Sequence, residues 1–325
     1  MIIDAHAHLF PPTLLDKIRK EKGRFPSVAA VEAGDSLSLG FAGGKLSRPV
    51  AKGLTDIAGR KAWMAKNGID RQIVGGWVDS FGYELPPKEG AAWASLINED
   101  LMETAKAEPA FVPLADVPLQ SGAEAAAILR EAHSAGFRGA MIGTQPNGKG
   151  SVLDAPELDP FWQEADRLGS VLFIHPVFDS GDDRNLDYGM PNAVGRITDT
   201  MIAVSRLLYS GHVLRYSGAK IVIGIGGAGL PIILGRLRRN HSLDPEKLAD
   251  PVKGIASMYY DTLIHDANAL KFVASVVGTD RMMLGSDMPF PIGDMEPKKV
   301  VEEAGFDEAA RASIYGGLAE KLLAG

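Results

Sequence analysis

The chain has 325 residues, of which 46% are hydrophobic, a formal net charge of −7 and no cysteine. This composition supports a large core, excludes disulfides and thiolate metal sites, and, with no block of Lys and Arg, argues against nucleic acid as a partner. No apolar run approaches the roughly 20 residues of a membrane helix and no basic leader precedes the first apolar segment, so the expectation is a cytoplasmic protein without a membrane partner.

The first element is an apolar strand over 2–7 that runs into His6-Ala7-His8. Side chains two apart on a strand share a face, so His6 and His8 can reach one ion. Residues 23–55 carry many Gly, Ser and Pro and read as a loop inserted between this strand and its helix at 56–67. Strand 70–77 and helix 88–107 follow, then strand 111–117 with helix 121–135, and strand 137–143 with helix 157–168. Strand 171–177 contains His175 and leads into a polar loop, 178–192, before a helix over 193–215. Strand 220–226 precedes helix 230–239, strand 258–263 precedes helix 266–277, and strand 281–286 ends at Asp287.

Most of these strands are nearly continuous in Val, Ile, Leu or Met, the pattern of parallel strands buried on both faces. Eight strand–helix alternations predict an α/β chain folded as a (β/α)8 TIM barrel, one domain over 1–325 with the insertion at 23–55. A doubly wound open sheet is the competing topology, but it would not bring the first and last strands together. In a barrel the C-terminal strand ends meet at one mouth, and His6, His8, His175 and Asp287 all sit at such ends. Each has a plainer reading alone: an incidental polar pair for His6 and His8, a hydrogen-bonded core imidazole for His175, a turn aspartate ahead of Pro289 for Asp287. Together, three imidazoles and a carboxylate make a site for one divalent ion, with zinc, manganese, cobalt and iron all compatible.

A further set of stretches occurs in order along the chain. They are Ile3-Asp4-Ala5-His6-Ala7-His8-Leu9-Phe10-Pro11, Ser47-Arg48-Pro49-Val50, Phe81-Gly82-Tyr83 and Val117-Pro118-Leu119-Gln120. Next come Ile174-His175-Pro176, Gly226-Gly227 through Leu234-Gly235-Arg236, and Tyr260-Asp261-Thr262-Leu263 with His265-Asp266. The last is Leu284-Gly285-Ser286-Asp287 followed by Pro289-Phe290-Pro291. On these the chain resembles the amidohydrolase superfamily, in the branch of aminocarboxymuconate semialdehyde decarboxylase and related non-oxidative decarboxylases. The resemblance implies that His6, His8, His175 and Asp287 bind one divalent metal, usually zinc. It also implies that Arg48 and Arg236 grip a substrate carboxylate, Arg236 within the site of the second subunit of a homodimer.

The chain departs from that pattern where the sixth strand usually ends in His-Gly-Gly-Gly, because Ile225 stands in the place of the histidine. In the relatives that histidine activates water or moves protons. His265 and His241 are candidate replacements; His212, within a helix, is a poorer one, and His133 reads as a helix-surface residue. The expected function is metal-dependent non-oxidative decarboxylation of an aromatic, heteroaromatic or unsaturated carboxylic acid, with Asp287 moving the proton and Phe81 and Tyr83, beside Trp77, walling a flat substrate. The alternatives are a metal-dependent hydrolase of a lactone or amide, a hydratase, and a metal-binding pseudoenzyme.

Overall fold

A computed structural model describes residues 1–21, 23–177 and 182–324. Eight short parallel strands carry the architecture: β1 (Ile3–His8), β4 (Arg71–Gly75), β5 (Phe111–Pro113), β6 (Gly139–Gly143), β7 (Val171–His175), β8 (Lys220–Ile223), β9 (Tyr259–Asp261) and β10 (Met282–Met283). The remaining two, β2 (Val28–Ala33) and β3 (Ser36–Phe41), form an antiparallel hairpin. The parallel strands hydrogen-bond in the orders β1-β4-β5 and β10-β9-β8-β7-β6. Isolated bridges Ala115↔Ala140 and Ala7↔Met288 join the two sheets at both seams. Ala5 N donates to Leu284 O at 2.7 Å and His8 N to Met288 O at 2.8 Å, so the first and last strands are neighbours, as a (β/α)8 barrel requires.

The interior is packed, as the continuous apolar strands require. Ala5, Ile73, Phe173 with Val171, Val222 and Met283, from five different strands, and Leu114 just past β5 leave a void of only ≈ 10 Å³ between them. Leu322 and Leu323, at the C-terminal helix Leu318–Ala324, complete that lining. Backbones approach closely where β6 meets β7: a Cβ at Gly139 would lie 1.8 Å from Val171 O, so only glycine fits.

Two expectations need correction. Residues 23–55 are not simply a loop, because the hairpin turns at Gly34 (φ +63°) and Asp35 and pairs Val28↔Phe41 through Ala33↔Ser36. Gly at a left-handed turn position and the alternation of Leu37, Leu39 and Phe41 are what make this segment a hairpin. The insertion also follows a helix, Pro12–Lys20, rather than coming directly from β1. The helix read over 193–215 is two, Arg196–Tyr209 and His212–Arg215, separated at Gly211 (φ +77°). Of the loop at 178–192, residues 178–181 lie outside the described residues. No helix among the described residues is long and apolar enough to cross a membrane.

Candidate metal centre

The strands leave their ladders at the mouth, and their last residues turn inward. Asp287 does so by adopting a left-handed backbone (φ +59°), a conformation Asp tolerates better than most residues. Its N–H donates to His6 O at 2.7 Å, which locks the end of the eighth barrel strand to the first. His6, His8, His175 and Asp287 are all buried, and one ligand atom from each lies within 4.8 Å of the others.

The outer nitrogens of the three imidazoles are each held by an acceptor. His6 Nδ1 lies 2.6 Å from Asp261 Oδ2, His8 Nδ1 is 3.0 Å from Gly76 O, and His175 Nδ1 is 2.9 Å from Pro176 O. Such partners put the ring protons on Nδ1 and leave Nε2 as a lone pair facing inward. His8 Nε2 then sits 3.1 Å and His6 Nε2 3.5 Å from Asp287 Oδ1. All three atoms are sealed from solvent without a hydrogen-bond partner. Lone pairs crowded against lone pairs are costly, at about 1–3 kcal/mol for each unsatisfied buried group, unless a cation lies among them. The donor set therefore fits a metal ion.

Titration behaviour follows from the same packing. Burial pushes the pKa of His8 down and that of His175 well below the usual range, so both are neutral imidazoles at physiological pH. At His6 burial acts in the same direction, but the bond to Asp261 and the charges of Asp287 and Asp261 outweigh it and raise the pKa. Burial would raise the Asp287 carboxyl too; His8, His6 and Arg196 instead hold it below the ordinary range, so it is a carboxylate.

Charged groups that the sequence reading assigned no role support this floor. Asp261 Oδ1 accepts from Gly226 N at 2.7 Å and Leu263 N at 3.2 Å while Oδ2 holds His6. Asp4 Oδ1 accepts from Ser286 N at 3.0 Å and Asp4 Oδ2 from Gln72 Nε2 at 2.7 Å, tying β1 to β4 and to the Asp287 turn. Arg60, 1% exposed, donates to His8 O at 2.6 Å, Gly53 O at 3.2 Å, and Met288 O and Gln72 Oε1 at 3.3 Å. The available signal was an Asp inside an otherwise apolar strand, which needs a buried partner; Arg60 gave none.

On the side of the ring where the strands end lies a cleft of ≈ 550 Å³ between the hairpin and the loops after β4, β6 and β7. Arg48, Phe81 and Tyr83 line it, as does Val177, two residues beyond His175; the four candidate ligands do not. Arg48 reaches Asp79 at 3.4 Å and its side chain is 55% exposed. Phe81 and Tyr83 pack with ring centroids 5.6 Å apart, and Tyr83 Oη accepts from Gly143 N at 3.0 Å. Trp77 is buried against Phe10, in the core rather than the cleft. Arg236 is exposed on helix Leu230–His241, away from the chain's own cleft lining.

Ile225 is half-buried with φ +56°, a strained conformation for a β-branched residue. A Cβ on its neighbour Gly224 would lie 3.3 Å from His6 Cε1, so this turn passes directly by the metal centre. None of the other histidines joins the group. His265 is exposed, His241 bonds to Leu248 O at 3.0 Å, His212 is buried against Trp162 and Tyr216, and His133 is half-buried on helix Gly122–Ala135.

The chain is similar to known proteins along nearly its whole length. The family model described as amidohydrolase matches residues 3–324. A 2-amino-3-carboxymuconate-6-semialdehyde decarboxylase of Dictyostelium discoideum is 28% identical, over 99% of this chain and 91% of its own length. A gamma-resorcylate decarboxylase of a Rhizobium species is 25% identical, over 78% of this chain and 83% of its own. Among solved structures, a 5-carboxyvanillate decarboxylase from Novosphingobium aromaticivorans, complexed with manganese and 4-hydroxy-3-methoxy-5-nitrobenzoic acid, superposes with a TM-score of 0.79 at 21% identity. That superposition covers 100% of this chain and 96% of the other.

Proposed function

Since this chain belongs to the amidohydrolase family, we propose that it is a metal-dependent non-oxidative decarboxylase, a carboxy-lyase acting on an aromatic, heteroaromatic or unsaturated carboxylic acid. The observation that carries the reading is the inward-facing cluster of His6 Nε2, His8 Nε2 and Asp287 Oδ1, buried without hydrogen-bond partners, with His175 beside them. The decarboxylase names of the relatives support the reaction type. His6, His8, His175 and Asp287 hold one divalent ion, zinc in our reading, with manganese, cobalt or iron compatible with the same nitrogen and oxygen donors. When bound, that ion supplies Lewis-acid stabilisation of negative charge on the substrate oxygens.

Asp287, a carboxylate in the resting site, takes up a proton from water and delivers it to the carbon that carried the departing carboxylate. The substrate's carbon–carbon bond breaks, its electron pair stays on that carbon, CO₂ leaves, and a C–H bond replaces the carboxylate. Phe81 and Tyr83 flank a flat substrate, and Arg48 offers a guanidinium at the outer edge of the cleft. Arg236, exposed on its helix, serves the partner's site in a homodimer. Ile225 can neither activate water nor carry a proton, and no other histidine takes its place beside the metal group, which favours decarboxylation over hydrolysis or hydration.

The test is CO₂ release from 2,6-dihydroxybenzoate, 6-methylsalicylate and 5-carboxyvanillate by protein loaded separately with zinc and manganese. Turnover of at least one acid, abolished together with metal content in His175→Ala, is the expected result. Turnover of none, with hydrolysis of a lactone panel, would replace the decarboxylase by a hydrolase.

A further inference from the structure

Side chains two residues apart on a strand share a face. Leu114, just past β5, and Phe173 of β7 both line the small interior void, as do Ile73, Val222 and Met283. Two residues further along, the same five stretches present Asp116, His175, Gly75, Gly224 and Gly285. The glycines make room for the centre: a Cβ at Gly224 would lie 3.3 Å from His6 Cε1, and one at Gly285 3.1 Å from His6 Cβ. Asp116 therefore faces inward, in the tier that carries the candidate ligand His175. Its register agrees, because Ala115 bridges to Ala140 and Asp116 stands beside Met141, which pairs with Phe173. Asn98 fixes the backbone there, with Nδ2 donating to Asp116 O at 2.9 Å and Oδ1 accepting from Asp116 N at 2.7 Å.

The Asp116 side chain is fully buried, and neither carboxyl oxygen has a hydrogen-bond partner among the described residues. Burial pushes its pKa well above the usual carboxylate range, outweighing the pull of the Val117 N–H, which does not reach hydrogen-bond geometry. Asp4 and Asp261, buried in the same ring, each accept from several donors. A buried carboxyl without donors is costly and calls for a partner.

The place of Asp116 in the ring indicates what that partner is. The cleft rises from the loops after β4, β6 and β7, and β5 lies between β4 and β6. Tyr83, on the cleft wall, is bonded to Gly143 N, two residues beyond Met141. The candidate ligands come from β1, β7 and the turn after β10. An acid that enters by the cleft and reaches the ion crosses the end of β5 and meets two acceptor oxygens there.

We propose that Asp116 is a specificity-determining residue that accepts a hydrogen bond from a hydroxyl or amino group on the part of the substrate turned away from the metal-bound carboxylate. This inference rests on the decarboxylase reading and adds a donor substituent to its substrate class. An acid that lacks the donor leaves the buried carboxyl unpaired, and sites of that kind discriminate strongly.

The experiment measures CO₂ release by the metal-loaded full chain, Asp116→Leu and Asp116→Asn. The probes are salicylate, 4-aminosalicylate and the dihydroxybenzoates that keep the 2-hydroxyl and add a second at position 3, 4 or 5. Wild type is expected to prefer at least one substituted acid over salicylate by about 100-fold or more in kcat/KM. Asp116→Leu lowers that preference by about 10- to 100-fold, the usual consequence of losing a hydrogen bond to an ionisable group. Asp116→Asn, which keeps one acceptor oxygen, falls between the two. The preference is a ratio taken within each protein, so a smaller fraction of folded or metal-loaded enzyme cancels. A preference that survives Asp116→Leu overturns the assignment, as does wild-type turnover of salicylate and the substituted acids alike or turnover confined to acids without the added group; each leaves the decarboxylase reading standing. Release of CO₂ from none of the acids removes that reading and this inference with it.

Discussion

Asp261 stands behind His6 and fixes its tautomer, so Asp261→Asn tests how the centre is organised. The carboxylate uses both oxygens: Oδ2 faces His6 Nδ1 at 2.6 Å, and Oδ1 accepts from Gly226 N at 2.7 Å and Leu263 N at 3.2 Å. Asparagine has one acceptor oxygen and one NH₂ group. If its NH₂ faces His6, Nδ1 must become the acceptor, the ring proton moves to Nε2, and the lone pair aimed at the ion is lost. If instead the NH₂ faces Gly226 and Leu263, two backbone N–H groups lose their acceptor in a fully buried turn. Partners of metal-bound histidines are worth about 10- to 100-fold in metal affinity, equivalent to ~1.4–2.7 kcal/mol. The assay is competition of the protein against a chelator of known zinc affinity, with Tm recorded for the metal-free protein. We expect affinity to fall by that factor while the fold persists. Affinity within twofold of wild type would refute the argument that Asp261 sets the His6 lone pair.

Two further predictions concern the scaffold. Arg60→Met removes a buried guanidinium that donates to His8 O, Gly53 O, Met288 O and Gln72 Oε1, so that each loses a charge-assisted donor, Met288 O keeping only its bond from His8 N. A loss of about 3–5 kcal/mol in urea unfolding is expected, and a loss below about 1 kcal/mol would show that the strand ends it joins do not depend on this residue. At Glu164 the ion pairs to Arg167 and Arg130 hold the carboxyl down to about 2 from 4.5. A depressed folded-state pKa contributes stability above the unfolded value that is lost as pH falls from 4.5 towards 2. Because both arginines are more than half exposed, Glu164→Gln should cost only about 1–2 kcal/mol at pH 7. The gap from wild type should close as the pH drops through that window; a gap independent of pH would assign the effect to packing.

Local pattern was enough to place the strands and the ligand-type residues at their ends. A continuous apolar run such as Val171-Leu172-Phe173-Ile174 pays for no polar contacts and is stable only inside a covered sheet, so a polar residue at its end stands out. The strands were nonetheless read three or four residues too long at β5, β8 and β10, which end at Pro113, Ile223 and Met283. There the chain leaves its ladder to aim side chains into the mouth, and left-handed backbone at Ile225 and Asp287 is the visible cost of that turn. The hairpin Val28–Phe41 was hidden because Gly and Ser suggest loop, although Gly34-Asp35 between alternating segments carries the turn signal.

What the sequence by itself determined is therefore the α/β alternation, the His6–His8 pair on one strand face, and the absence of a histidine at Ile225. Periodicity of two along a strand and the burial demanded by apolar runs are local rules, legible without coordinates. Only the tertiary structure decided which charges stand behind those ligands. His6 and Asp261 are 255 residues apart and Asp4 and Ser286 are 282 apart, and they meet because the ring places its first strand beside its last and the seventh strand's end behind His6. Arg60 gains its place in the same way. Its acceptors on His8, Gly53, Gln72 and Met288 come from four separate stretches of chain, and a charge acquires meaning only from what the fold sets around it.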